Sequence, residues 1–428
     1  MSLYSAFYAS LSGLSSNANA LGVIGNNLAN LNTIGFKTSS TSFEDLFNTA
    51  LGGASTEGNG NPMQIGLGTA LASVAQDFSQ GSPQGTGTVT NMALQGDGFF
   101  TLRSPSGTAL YSRAGQFTID KNGFLVDPNG NSVMGWNAVN GVANANGTPV
   151  PVFLNPGATS PPFATTTLSN TTNLNSAATA GTTFTAPVPV YDSLGASHNV
   201  LITYTATATA GTWDVAATTD GGATVTLSGL PTDAVTGKPC VVFNNDGSLK
   251  TPAVGTATTM TLAGWTDGAA GQTITWNIWS GAGASAASNL TSYAQASGTT
   301  ATTQNGYAAG SVSSMSVDQN GNIVGTFTNG QTMTLAQVAV ATFSNNNGLS
   351  LQAGNTWTTT LASGAANVGA ANTGGRGTIL GSNLESSNVD VATEFTNLII
   401  NQNGYQANSR VITTTDTLLQ TVISMIQA

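Results

Sequence analysis

The two ends of this 428-residue chain carry the same hydrophobic repeat. Apolar and small residues recur near both termini at alternating spacings of four and three positions, which is the pattern of a seam between packed α-helices. In the first segment the repeat comprises Phe7, Leu11, Leu14, Ala18, Leu21, Gly25 and Leu28. In the last segment it comprises Val391, Phe395, Leu398, Gln402, Tyr405, Ser409, Ile412, Asp416, Leu419, Ile423 and Ile426. Both termini are therefore predicted to be helices that pack against other helices.

The second predicted helix is the longer of the two, beginning near Ser387, where Ser387 and Asp390 have the spacing of a capping box. Its stripe is roughly 53 Å long against roughly 32 Å for the first. One alternative is that the two helices pack only on each other within one molecule. Because the longer helix leaves apolar surface unmatched, packing between copies is favoured. The predicted polymer interface comprises Phe7, Leu11, Leu14, Leu21, Leu28, Val391, Phe395, Leu398, Tyr405, Ile412, Leu419, Ile423 and Ile426.

The chain contains few charges for its size. Only 6% of its residues are charged, against about 25% in an ordinary globular protein. Eight lysines and arginines oppose 18 aspartates and glutamates. Because so few cations cannot form a basic patch of useful size, the composition argues against nucleic acid and anionic lipid as partners. No stretch of 18 apolar residues is present, which predicts that the chain does not insert into a membrane.

Few residues are candidates for catalysis or metal binding. Cys240 is the one cysteine and His198 the one histidine. These counts exclude an intrachain disulfide and a zinc site of the usual cysteine-histidine kind. His198 acting with Asp192 or Ser193 is one alternative catalytic group, but the segment is typical of a turn that leads into a strand. We therefore predict a protein that is not an enzyme and binds no cofactor.

The long region between the ends is predicted to be β-structure. Strand-like alternation and turn residues recur through it, and a short helix is predicted over 42–47, where Ser42 and Asp45 have capping-box spacing. The candidate core anchors of its second half are Trp265, Trp276 and Trp279. Hairpins are predicted at Asn122-Gly123, Asn320-Gly321 and Asn329-Gly330.

A weak internal repeat relates two distant segments. Residues 118–126 resemble residues 316–324, and each copy contains Asp-x-Asn-Gly. The motif hints at calcium, but an EF-hand loop needs more oxygen ligands and a distal glutamate, so a turn is the preferred interpretation. Because the copies lie about 200 residues apart, the simplest account is one β-domain built from two chain segments, with a second domain inserted between them.

The predicted fold class is mainly β with long α-helical termini and nested, discontinuous domains. The terminal helices form a coiled-coil-like core, and two β-rich domains lie outside it. The predicted limits are 1–31 plus 387–428 for the helical terminal core, 32–90 plus 363–386 for an extended connector, 91–145 plus 303–362 for an inner β-domain, and 146–302 for an outer inserted β-domain.

Several segments resemble the flagellar axial protein family, which comprises rod, hook and hook-associated proteins. Residues 25–37 resemble its N-terminal signature through Asn26, Asn27, Leu28, Asn30, Gly35 and Phe36. Further resemblances to the inner β-domain, the outer hook domain and the shared C-terminal motif lie at 94–100, 111–118, 190–198, 310–348 and 385–390. The large insertion favours the hook members, because the distal rod member lacks a large outer domain.

The resemblance implies a structural subunit that self-assembles into a curved, hollow helical tube. Such a tube acts as a universal joint and transmits torque from rod to filament. The implied partners are further copies of the chain, the distal rod protein, the hook-filament junction proteins, the hook cap and the flagellar type III export apparatus. The implied location is extracellular. No basic residue precedes Lys37, so export without a cleaved signal peptide is expected.

Three alternatives to a hook subunit stay open at this point. The first is the distal rod protein, a straight drive shaft. The second is a secreted surface β-protein or adhesin, which would not need helical seams at both ends. The third is a glycan-degrading enzyme whose exposed tryptophans stack on sugar rings, although no carboxylate pair of recognisable spacing supports it.

Overall fold

The computed structural model describes residues 3–46, 48–50, 64–155, 157–281 and 287–427. In this part of the chain most regular structure is β-strand, and one long helix lies at each end. Helix α1 spans Leu3–Ala29, helix α2 spans Val391–Gln427, and a 3₁₀ turn spans Asn346–Gly348. The two long helices pack on each other. The prediction of a mainly β protein with helical termini is confirmed.

Most of the strands are short, and many are joined by tight turns. Before residue 156 they are β1 (Ser39–Asp45), β2 (Asn48–Ala50), β3 (Gln64–Gly66), β4 (Thr69–Gln76), β5 (Pro83–Gly85), β6 (Met92–Gln95), β7 (Phe99–Arg103), β8 (Ala109–Ser112), β9 (Thr118–Ile119), β10 (Leu125–Val126), β11 (Ser132–Val139), β12 (Val142–Ala143) and β13 (Val150–Pro151). From residue 157 to 304 they are β14 (Thr159–Ser160), β15 (Thr167–Asn173), β16 (Thr183–Tyr191), β17 (Ser197–Ala206), β18 (Thr212–Thr219), β19 (Thr224–Ser228), β20 (Cys240–Phe243), β21 (Leu249–Thr251), β22 (Thr259–Ala263), β23 (Gln272–Trp276), β24 (Trp279–Ser280), β25 (Ala287–Ser288), β26 (Leu290–Thr291) and β27 (Gly298–Gln304). The remaining strands are β28 (Gly310–Val317), β29 (Asn322–Phe327), β30 (Thr332–Thr342), β31 (Ser350–Gln352), β32 (Thr356–Thr358), β33 (Asn367–Ala370), β34 (Thr378–Gly381) and β35 (Asn383–Glu385).

The chain forms two compact units, and each is discontinuous in sequence. Unit 1 comprises Met1–Pro156, Ser314–Gly325 and Thr332–Ala428, and unit 2 comprises Gly157–Ser313 and Thr326–Gln331. Unit 1 therefore contains both ends of the chain. The finer division into four nested domains remains a prediction.

Unit 1 contains an antiparallel sheet that is buried on both faces. Its central order is β30-β11-β7-β8-β32-β31. The adjacent residues Phe99 and Phe100 enter different apolar clusters, because successive side chains of a strand point to opposite faces. Phe99 lies beside the fully buried Trp357, with ring centroids 5.5 Å apart. Two apolar layers thus hold this sheet in place.

A two-stranded ribbon replaces the short helix predicted over 42–47. Strand β1 pairs antiparallel with β4, with a register shift between Ser42 and Phe43. The helix prediction is therefore wrong for 42–45, and Phe47 lies outside the described residues. The serine- and threonine-rich sequence suits a half-exposed strand, and pairing with β4 outweighs the local capping-box pattern. The ribbon packs along α1, where the Ser12 hydroxyl accepts a hydrogen bond from the Thr69 amide at 3.1 Å.

Unit 2 consists mainly of two sheets around one apolar core. Their orders are β19-β22-β23-β15-β26, with β27 also on β15, and β16-β17-β18-β20-β21. Trp265 and Trp276 are buried and Trp279 is partly buried against this core, so the prediction of core anchors is confirmed. The glycan-binding alternative needed exposed tryptophans, and it is wrong for Trp265 and Trp276.

The repeated Asp-x-Asn-Gly motifs form turns. Oδ1 of Asp120 accepts hydrogen bonds from the amides of Asn122 and Phe124 at 2.9 and 2.7 Å. Oδ1 of Asp318 does the same for the amides two and four residues later, at 2.9 and 2.8 Å. The first turn joins β9 to β10 and the second joins β28 to β29. The turn interpretation is confirmed for both copies.

Helix α2 begins later than predicted. Its first residue is Val391, and Oδ1 of Asp390 accepts a hydrogen bond from the Thr393 amide at 2.7 Å. This hydrogen bond lowers the pKa of the Asp390 carboxyl. Asp390 is therefore the N-cap, and the capping box that starts at Ser387 is wrong. A carboxylate at this position also interacts favourably with the positive end of the helix dipole.

Candidate interface on the terminal helices

Helices α1 and α2 approach closely where each carries a glycine four residues before an asparagine. A Cβ atom on Gly13 would lie 2.6 Å from Nδ2 of Asn408, and one on Gly404 would lie 3.1 Å from Oδ1 of Asn17. The side-chain amide of Asn17 donates a hydrogen bond to the Gly13 carbonyl at 2.8 Å, which fixes the orientation of the Asn17 side chain. Gly13 thus faces Asn408, and Asn17 faces Gly404. Because the residue numbers rise along one helix as they fall along the other, the helices run antiparallel.

The contact between the two helices uses small and polar residues. The buried residues of the described helices are Ser10, Gly13, Ser16, Ala20, Ile24 and Asn27 on α1, with Glu394 and Thr415 on α2. Of these, Gly13 faces Asn408 of α2, whereas Ser16 and Asn27 form hydrogen bonds with Thr69 and Ser39 of the ribbon. This stripe is rotated away from the predicted 4-3 stripe of α1, of which Leu11 is 43% exposed and the other members are half-buried or exposed. Intrachain packing therefore covers the predicted stripe only in part.

The predicted interface residues keep much of their apolar surface uncovered. Val391, Phe395, Tyr405 and Ile423 are exposed on α2. The half-buried members are Phe7, Leu14, Leu21, Leu28, Leu398, Ile412 and Leu419. The side chain of Ile426 lies outside the described residues.

Further exposed apolar residues widen this surface. Sequence reasoning missed Tyr4, Tyr8 and Ile400, although each lies one turn or less from a predicted member. The additional exposed members on α2 are Ile399, Ile400, Val411, Leu418, Val422 and Met425. At 100° per residue, Ile400, Leu418 and Met425 fall on one side of the stripe that contains Gly404 and Asn408, and the predicted members Tyr405 and Ile423 fall on the other side. We call the exposed apolar residues of α1 and α2 together the outer helix surface.

The signature segment after α1 ties the helix to the β-structure of unit 1. The Asn27 side chain donates to the Ser39 carbonyl at 2.8 Å and accepts from the Ser39 amide at 3.0 Å. Asn30 donates to the carbonyl and side-chain oxygens of Asn26, at 2.9 and 3.1 Å. The Asn27 side chain therefore joins α1 to β1, and the Asn30 side chain adds to the backbone hydrogen bond that its own amide donates to the Asn26 carbonyl at 3.2 Å.

Gly35 lies where no larger residue fits. Its φ is +67°, and its amide donates to the Glu385 carbonyl at 2.8 Å. A Cβ there would lie 2.6 Å from the backbone nitrogen of Ala114. Phe36 follows with its side chain buried. The signature residues therefore act first as internal packing and turn elements of one molecule.

A buried ion cluster lies beside this turn. Nζ of Lys37 is 2.7 Å from Oε1 of Glu385, and a nitrogen of Arg113 is 3.7 Å from the other carboxylate oxygen. All three side chains are almost fully buried. Burial lowers the pKa of Lys37 and of Arg113, although Glu385 acts to raise both. The cluster contains two of the chain's eight basic residues and joins segments that are about 350 residues apart.

Asn388 completes the connection between the two ends of the chain. Its side-chain oxygen accepts from the Thr38 amide and hydroxyl at 2.8 and 2.7 Å, and its nitrogen donates to the Asp77 carbonyl at 2.9 Å. One side chain thus joins the segment before β1, the segment after β4 and the segment before α2. No described helix is long and apolar enough to cross a membrane.

Comparison with known proteins identifies the family to which this chain belongs. Family models match along most of the chain: Flagella basal body rod protein at 7–37, Flagellar hook protein FlgE/F/G D1 domain at 93–167, Flagellar basal body protein FlaE D2 domain at 157–307, and Flagellar basal body rod FlgEFG protein C-terminal at 381–425. The flagellar hook protein FlgE of Treponema pallidum is 34% identical over 98% of this chain and 98% of its own length. The chain belongs to the flagellar hook protein FlgE family.

A second full-length relative agrees with this membership. The FlgE of Salmonella typhimurium is 33% identical over 98% of this chain and 99% of its own length. A crystal structure of Helicobacter pylori FlgE2 covers 71% of this chain at 14% identity, with a TM-score of 0.47. The FlgE-family chain is thus a structural subunit of the flagellar hook. The distal rod alternative is not favoured, because the full-length relatives are hook proteins.

Proposed function

We propose that copies of this chain polymerise through the outer helix surface into a curved, hollow helical tube that transmits torque as a universal joint. The observation that carries the proposal is an apolar surface left uncovered on two helices that already pack on each other. Ile400, Leu418 and Met425 are 61%, 54% and 75% exposed. Exposed apolar surface of this extent is typical of an interface.

The unequal lengths of the helices support contacts between copies. Helix α2 has 37 residues and α1 has 27, so about 15 Å of α2 has no length of α1 to match it. The exposed residues Leu418, Val422 and Met425 lie in this last part of α2. Low charge adds to the argument, because a surface with few charged groups opposes close packing of like copies only weakly.

We place the terminal helices at the inside of the tube and the β-structure in its outer layers, with the four nested domains given by the sequence. Support comes from the family membership and from the small, polar contact between α1 and α2, which directs their apolar residues outwards. The proposed neighbours are the distal rod protein, the hook-filament junction proteins and, during assembly, the hook cap. We further propose export through the type III apparatus, without a cleaved signal peptide, to the exterior of the cell.

The test is a charge placed on the outer helix surface. Leu418→Asp should abolish polymerisation of the purified chain, because each new contact would bury a carboxylate without a partner. The matched control is Ser424→Asp, on the same helix and also exposed, but about 120° around the helix from Leu418. It should polymerise at a rate within about twofold of wild type. Polymer is measured by sedimentation and by electron microscopy of negatively stained samples.

Circular dichroism and the melting temperature of the monomer show that both variants fold. Polymerisation of Leu418→Asp at the wild-type rate would contradict the proposed interface. Equal loss of assembly in both variants would mean that added negative charge, and not the apolar surface, controls polymerisation.

A further inference from the structure

The one histidine of the chain lies among carboxylates in unit 2. Asp192 follows β16, His198 lies in β17, and Asp267 comes from the turn between β22 and β23 of the other sheet. Nε2 of His198 is 3.0 Å from Oδ2 of Asp192 and 3.5 Å from Oδ2 of Asp267. One ligand atom from each residue lies within 4.8 Å of the other two. We call these three residues the Asp-His-Asp cluster.

The turn that contains Asp192 differs from three similar turns of the same chain. Asp120, Asp127 and Asp318 each cap a turn through Oδ1, and in each the Oδ2 atom accepts a hydrogen bond from an asparagine amide of the same turn. Asp192 caps its turn in the same way, through the amides of residues 194 and 196. Those positions hold leucine and alanine. Oδ2 of Asp192 is therefore directed to His198 instead of being used within its own turn.

The cluster carries more negative charge than its neighbours neutralise. Oδ1 of a third carboxylate, Asp220, is 3.7 Å from the opposite ring nitrogen of His198. Within the described ranges, no lysine or arginine forms an ion pair with Asp192, Asp220 or Asp267. Even a protonated imidazole balances only one of three carboxylates. Because Asp192 is fully buried, its charge is poorly screened by water, and a cation at this point would relieve the repulsion.

The imidazole is held in a fixed orientation. The ring of Trp265 stacks on it with centroids 4.4 Å apart and an interplanar angle of 29°. On the backbone side, a Cβ on Gly221 would lie 2.5 Å from Nδ1 of His198 and 2.6 Å from Trp265. The absence of that Cβ lets the two rings stack there. A ligand fixed in this way loses little conformational entropy when it binds a metal ion.

We propose that Oδ2 of Asp192, Nε2 of His198 and Oδ2 of Asp267 bind one divalent transition-metal ion of the zinc class. Ligand atoms about 2.1 Å from such an ion lie about 3.0 Å apart in octahedral and about 3.4 Å apart in tetrahedral geometry. The distances from Nε2 to the two carboxylate oxygens, 3.0 and 3.5 Å, span this range. An imidazole nitrogen favours zinc over calcium or magnesium, which take oxygen ligands. The bound ion would join the two sheets of unit 2.

The test measures zinc binding by the untagged, full-length chain, from which metal has first been removed with a chelator. Calorimetric titration with zinc chloride near neutral pH should show one equivalent bound. Asp267→Asn should weaken the affinity by at least about tenfold, since it removes a charged ligand. This variant should fold, because an asparagine oxygen can still accept the Ala269 amide that Asp267 now binds.

Two further variants make the result decisive. His198→Gln should abolish saturable binding and the visible absorption of the cobalt-substituted protein. The control Asp246→Asn alters an exposed carboxylate of unit 2 that accepts from Ser248 within its own turn, and it should bind zinc as wild type does. The proposal is overturned if wild type binds no zinc up to millimolar concentration, or if Asp267→Asn binds as tightly as wild type.

Discussion

At the scale of single residues, the buried carboxylate of Glu385 joins distant parts of the chain. It accepts from Lys37 at 2.7 Å and from the Gly81 amide at 2.9 Å, and Arg113 lies beside it. Burial removes water from all of these groups, so each charge depends on its partners. A residue near the second helix thus fixes the turn that follows the first.

We expect Lys37→Met to destabilise the chain by about 3–5 kcal/mol, because it leaves the buried Glu385 carboxylate with Arg113, 3.7 Å away, as its remaining cationic partner. The double variant Lys37→Met/Glu385→Gln removes both members of the closest pair. It should be more stable than the sum of the two single changes predicts. Urea unfolding of the wild type, Lys37→Met, Glu385→Gln and the double variant measures this coupling. Additive changes in the free energy of unfolding would show that the pair is not coupled.

At the scale of elements, the antiparallel contact between α1 and α2 depends on two glycines. The helices approach at Gly13 and Gly404 because hydrogen atoms stand there in place of side chains. A 4-3 apolar pattern alone predicts a seam of larger residues. The observed contact is instead small and polar, and this keeps the larger apolar side chains on the outside.

Gly13→Ala should loosen the helix pair, because its Cβ would overlap the Asn408 side chain. The control is Gly22→Ala, which lies on the same helix with nothing within 4 Å of its Cβ. Since alanine favours helix by about 1 kcal/mol over glycine, the control should stabilise α1. Amide hydrogen exchange of α1 and α2 in the monomer distinguishes the two. Equal slowing of exchange in both variants would refute the close contact.

At the scale of the whole molecule, few charges and a large uncovered apolar surface determine how copies associate. The proposed polymer contacts are apolar, and apolar association weakens on cooling and strengthens in sulfate. Ion pairs would instead weaken steeply as sodium chloride is added.

Assembly of the purified chain should therefore increase with ammonium sulfate and decrease on cooling. It should not weaken between about 0.05 and 0.5 M sodium chloride, because screening acts mainly on the repulsion between chains of net charge −10. Light scattering against temperature and salt measures this. A steep loss of polymer with sodium chloride would point to ionic contacts.

The sequence by itself determined the features that depend on neighbours along the chain. The 4-3 spacing predicted both helices, and Asp-x-Asn-Gly predicted turns that close with their own side chains. Local patterns failed where two interpretations were possible. The segment after Ser42 became a strand because β4 pairs with it, and α2 begins at Val391 because Asp390 caps it.

Only the tertiary structure decided which distant residues meet. No spacing rule links Lys37 to Glu385, Gly13 to Asn408, or His198 to Asp267, because each contact joins segments separated by many residues. Backbone hydrogen bonds and periodic side chains act over a few positions, so sequence pattern records them. Packing of the whole chain decides which stripe of a helix is buried. It also decides which carboxylates lie around the one histidine.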